Sequence, residues 1–150
     1  MQAELEKTLS SLVASELALF NELAFLVEKE EERVCDGDMD GLLAILQEKQ
    51  DVISRQEKIQ EGWASLSCAL GLSEGRDGPS FWSSLADKLG EGRAKDLKAS
   101  LSVIHDVAGR VLEHESRVQA LLEEHVEDLR KQMAQISQGK KALHGYSKSG

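Results

Sequence analysis

Leucine recurs at alternating steps of four and three through this chain, and only glycine-bearing breaks interrupt the rhythm. Leu5, Leu9, Leu12, Leu19, Leu23 and Leu26 carry it through the first stretch, with Glu16 filling one turn. A step averaging 3.5 residues keeps one helix face turned to a partner helix, whereas a strand repeats every two. Val13, Leu17, Phe20 and Val27 widen the stripe to what a bundle helix buries. The first segment therefore reads as a helix from about Ala3 to Cys35.

Asp36-Gly37-Asp38 follows. Gly37 suits a left-handed helix stop and Asp38 a new cap, which makes a hairpin; a kink in one continuous helix is the alternative. A second helix spans about Met39 to Leu70, with Met39, Leu42, Leu46, Ile53, Ile59, Trp63, Leu66 and Leu70 as its seam and Gly71 as its end. The stretch 71–79 holds three further breaks in Gly75, Gly78 and Pro79, the only proline, and reads as a loop. Ser80 is a candidate cap for a short helix bearing Phe81, Trp82, Leu85 and Leu89. After Gly90 and Gly92 a third long helix runs from about Arg93 to Gln138. Its seam is Leu97, Leu101, Ile104, Ala108, Val111, Val118, Leu122, Leu129 and Ile136, with Glu115, His125 and Gln132 as polar turns.

The expected fold is all-α: three long helices in an elongated antiparallel coiled-coil-like bundle, a short helix in the second connection, and a flexible C-terminal tail. Residues 1–138 form the bundle and 139–150 the tail. The first two segments reach roughly 50 Å and the third roughly 68 Å at 1.5 Å per residue. With alternating directions the third helix passes the Gly37 turn at about Val126. Leu129, Met133 and Ile136 then overhang, with Leu143 in the tail; the opposite register puts the overhang under Phe81 and Trp82. Methionine at 133 suits an adaptable binding face. Helix fraying is the bland alternative, and a groove between the hairpin helices is another place for a partner.

Charge and composition narrow the function. The tail carries Lys140, Lys141 and Lys148 and no acid, so the net charge of −9 splits into −12 on the body and +3 on the tail. An acidic body argues against nucleic acid. Three tail lysines are fewer than a lipid-binding cluster needs. Apolar runs are short, so no membrane insertion is expected. The N-terminal residues lack the pattern of a signal peptide, which points to the cytoplasm. Cys35 and Cys68 lie too far apart along helices to bridge and read as small buried hydrophobes.

Catalytic signals are weak. Gly90-Glu-Gly92-Arg-Ala-Lys95 lacks phosphate-loop spacing, and the residues three before His105, His114 and His125 are not glutamates, as a di-iron bundle requires. His114, His125 and the acidic run from Glu28 to Arg33 read as solvated faces. No enzyme activity, cofactor or metal is expected.

The stretch Leu26-Val-Glu-Lys-Glu-Glu-Glu-Arg-Val34, then Gly37-Asp38, Leu42, Leu46, Lys49, Ile53, Glu57, Trp63 and Leu70-Gly71, resembles the FlgN family of flagellar type III export chaperones. The long last helix and the lysine-bearing tail with Tyr146 are similar to that family too. The resemblance implies a cytosolic chaperone that binds C-terminal amphipathic segments of hook-associated junction proteins and prevents their premature polymerisation. It also implies delivery to the export gate, with Tyr146 docking there. Client contacts then fall on Val118, Leu122, Leu129, Met133, Ile136 and Leu143. The competing expectation is a homo-oligomeric coiled-coil scaffold without a client, and a homodimer is compatible with either.

Overall fold

Glycine sets every break between helices: Gly37, Gly71 and Gly90 all adopt positive φ, at 70°, 72° and 92°. In a computed structural model, the structure describes residues 2–72, 75–76 and 78–149, with side chains from 3 to 139. Four helices and no strand occur among these residues: α1 (Gln2–Asp36), α2 (Met39–Ala69), α3 (Pro79–Leu89) and α4 (Glu91–Ser149).

The first break is a turn between separate helices. The Gly37 amide donates to the Val34 carbonyl and the Asp38 amide to Arg33, a pairing that needs the left-handed residue glycine tolerates. Asp38 then caps α2 by accepting from the Gly41 amide at 2.9 Å. Gly71 closes α2 the same way, with its amide on Cys68 and that of Leu72 on Ser67. At α3 the cap is Gly78, with Pro79 at the first helical position, and not the expected Ser80. Proline there loses no helical hydrogen bond, because that amide would be unpaired anyway.

Side-chain pairings give the directions. Along α1 and α2, Glu16 meets Trp63, Glu22 meets Arg55 and Glu30 meets Lys49, so the two helices run oppositely. Ser10 meets Arg93 and Glu31 meets His114, each 83 residues apart, so α1 and α4 run the same way. α1 packs along both neighbours, while α2 reaches α4 through Lys49. The constant offset brings the Gly37 turn level with about residue 120, earlier than the expected Val126.

Three clusters make the core. At the open end of the hairpin α3 inserts Phe81 and Leu85 among Leu9, Trp63, Leu66, Ala94 and Leu97. The Phe81 ring meets Trp63 and Trp82 edge-on, at centroid separations of 6.2 and 5.3 Å. Leu19, Leu26, Ile45 and Val52 fill the middle. Val27, Val34, Leu42, Val111 and Val118 close the turn end.

The α2 seam differs from the expected one. Ile45 and Val52 are buried, whereas Met39, Leu46 and Ile53 are exposed. Ile45 and Val52 each sit one position before an apolar neighbour expected on the seam, and 100° of helix rotation decides between them. Cys35 and Cys68 are exposed rather than buried; each follows the buried residue, Val34 or Ser67. Helix α1 is long and apolar enough by composition to cross a membrane, contrary to the expectation from short apolar runs. Its apolar side chains are spent on the core, since Leu9, Leu19, Leu26, Val27 and Val34 are buried.

Candidate partner-binding surface

Two buried carboxylates lie on the inner face of α1, and each draws a cation from another element. Glu16, 1% exposed, accepts from the Trp63 indole at 2.9 Å and from Arg76 at 2.5 and 2.7 Å. The Arg76 guanidinium also stacks on the Trp63 ring, 4.8 Å from its centroid. Its carbonyl accepts from the Trp82 indole at 2.7 Å. One arginine in the α2–α3 connection thus ties α1, α2 and α3 together. An unpaired carboxylate in such a site would be costly, so the bidentate pair keeps the seam intact.

Glu30 is the second. Lys49 donates to it at 2.9 Å and pairs with Glu115 of α4 at 2.5 Å. Burial pulls the Lys49 ammonium down, but hydrogen bonds to Glu115 and Glu30 outweigh it and hold the group above the usual lysine value. His114 pairs with Glu31 and is half-buried. Glu30 and His114 are therefore packing residues, not members of solvated faces. A bare periodicity count misses this because the cations that accommodate them come from distant segments.

The residues expected to bind a client fall into three groups. Val118 is 1% exposed and belongs to the core, and Leu122 is half-buried against it. Leu129, Met133 and Ile136 project into solvent beyond the hairpin, at 52%, 68% and 60% exposure. Leu143 and Tyr146, with most of the expected tail, lie outside the residues whose side chains are described.

More exposed apolar side chains lie outside the expected overhang, some of them on the seam expected for α2. Met39, Leu43, Leu46 and Ile53 are exposed on α2, and Leu112 stands 64% exposed on α4. A cavity of about 540 Å³ lies beside α3, bounded by Phe20 of α1, Arg76, Trp82, and Lys98, Leu101, His105 and Ala108 of α4. A second opening is lined by Lys49, Leu112, Glu115 and Gln119. The missed signal is a second heptad row on α4, beside the one α1 covers.

Against known families, the model described as FlgN protein matches residues 1–150. Searches of curated proteins and of solved structures return no match.

Proposed function

Since this chain belongs to the FlgN family, a family of flagellar export chaperones, we propose that it works in the cytoplasm on the hook-associated junction proteins. It binds their C-terminal amphipathic segments, keeps them from polymerising early and delivers them to the type III export gate. The observation that supports this is the overhang, where Leu129, Met133 and Ile136 stay exposed on a helix that outlasts its partners. Exposed apolar stripes on a single chain mark places where another chain binds. A client segment that is disordered alone can fold there as a helix, burying leucine-like side chains at heptad steps.

In this reading Leu122, Leu129, Met133, Ile136 and Leu143 carry the client, while Val118 holds the helix to its own core. Residues 139–150 act as a basic tail, and Tyr146 offers a low-entropy aromatic anchor for the gate. The acidic body steers encounter more than it adds affinity. Co-expression with candidate junction proteins tests the assignment: one of them should co-purify with the full chain and be lost when the chain ends at His125. A tight homodimer that ignores every client terminus would favour the scaffold instead.

A further inference from the structure

The apolar face of the overhang is not the prolongation of the face that α1 covers. Leu97, Ile104, Val111 and Val118, seven apart, form the buried row, and the next members of that row are His125 and Gln132. Past the turn it becomes polar. Leu122, Leu129 and Ile136 instead continue the adjacent row of Leu101, Ala108 and Glu115, while Val126 and Met133 continue that of His105 and Leu112. These two rows line both openings. The exposed track is therefore one stripe, running from the cavity beside α3 up the open side of α4 and onto the overhang.

Helix α2 supplies the facing wall. Met39, Leu46 and Ile53 are again seven apart and exposed. Lys49, one turn from Leu46, touches Glu115, which brings the two walls level. The two openings follow one another along α4, the first over Glu16 of α1 and the second over Glu30, where Lys49 of α2 joins the lining; together they make a furrow beside the α2 row. Its two ends differ in charge. Near α3, Glu16 and Arg76 cancel, and Lys98 lies over the Trp82 ring with no ion pair among the described residues. Toward the turn, two carboxylates share Lys49, and Glu123 lies beside them.

We propose that this furrow seats a fourth helix, contributed by a partner: an amphipathic helix with apolar residues at heptad steps, acidic toward the α3 cavity and basic toward the overhang. The proposal rests on the chaperone reading and deepens it, because it moves the seat of the client from the overhang alone to the whole track. The helix would bury both unpaired walls and give α4 the second neighbour it lacks on that side. The cavity accepts one bulky side chain between Phe20 and Trp82. Charge order fixes which end of the partner lies there.

The test uses the isotope-labelled full chain and two spin-labelled amphipathic peptides of about 14 residues, or four turns. Both carry leucine heptads, one flanked by glutamates and the other by lysines. The acidic probe should broaden resonances of residues 98–108 and the basic probe those of residues 112–126. Broadening confined to residues beyond 126, or none, overturns the furrow. Leu112→Lys, at an exposed position, should leave thermal stability unchanged and weaken the basic probe about tenfold, as loss of an anchor does; unchanged binding of that probe overturns the proposal. Sedimentation of the unliganded chain completes it. A dimer abolished by Leu112→Lys would assign the furrow to a second copy and overturn the partner. Because the probes are not junction proteins, failure of client co-purification would sink the chaperone reading without touching this result.

Discussion

At the residue scale, stability turns on two cations that hold buried carboxylates. Removing Arg76 strands Glu16 beside the Trp63 indole, so Arg76→Ala should cost about 3 kcal/mol in urea unfolding, in the range for breaking a buried pair. Glu16→Leu combined with Arg76→Leu should recover most of that loss. A cost near zero for the single variant would show that Glu16 is not held this way. Lys49 makes a pH-dependent counterpart. Its folded value lies above the ordinary 10.5, so its contribution is complete below that value and is lost as pH rises through the folded one. The stability gap between the parent chain and Lys49→Met, about 3 kcal/mol at neutral pH, should therefore shrink in strongly alkaline solution. A gap that widens there would reverse the assignment. Neither network was legible in the sequence. Glu16 stood out as a polar seam turn, but its partner Arg76 lies 60 residues away in a loop, and no periodicity connects them.

At the element scale, the sequence revealed the breaks better than the faces. Gly37, Asp38 and Gly71 were readable because left-handed stops and side-chain caps depend on local chemistry alone. The α2 face was not, since Ile45-Leu46 and Val52-Ile53 are apolar pairs for which burial depends on where α1 lies. The two readings separate cleanly in mutants. Ile45→Ala should cost about 2–4 kcal/mol as a core truncation. Leu46→Ala, 40% exposed, should cost less than about 1 kcal/mol. Equal costs would mean that the free chain covers the Leu46 face of α2. α4 shows the same difficulty in another form. It carries parallel apolar rows, and treating them as one seam placed Val118 among the client contacts although α1 buries it.

For the whole molecule, the overhang was anticipated from helix lengths alone, whereas its register needed the fixed offset between α1 and α4. A chain ending at His125 should keep the thermal stability of the full protein to within about 1 kcal/mol, because none of the described residues it removes belongs to a core cluster. Client affinity should fall sharply in calorimetry; unchanged affinity would place the whole site within the furrow. Tyr146→Ala should spare client binding and reduce export, and loss of client affinity in that variant would reassign the tyrosine. The central position of α1 bears also on the order of assembly. Its contact with α2 closes across a tight turn, but its contact with α4 closes a loop of 83 residues, and longer loops cost more entropy to close. The hairpin can form while the ribosome is still making α4, and the finished helix then zips onto a waiting template from the α3 end. Pulse-labelling by hydrogen exchange during refolding should find amides of α1 and α2 protected before those of α4, so that the segment that holds the client is the last part of the chaperone to take shape.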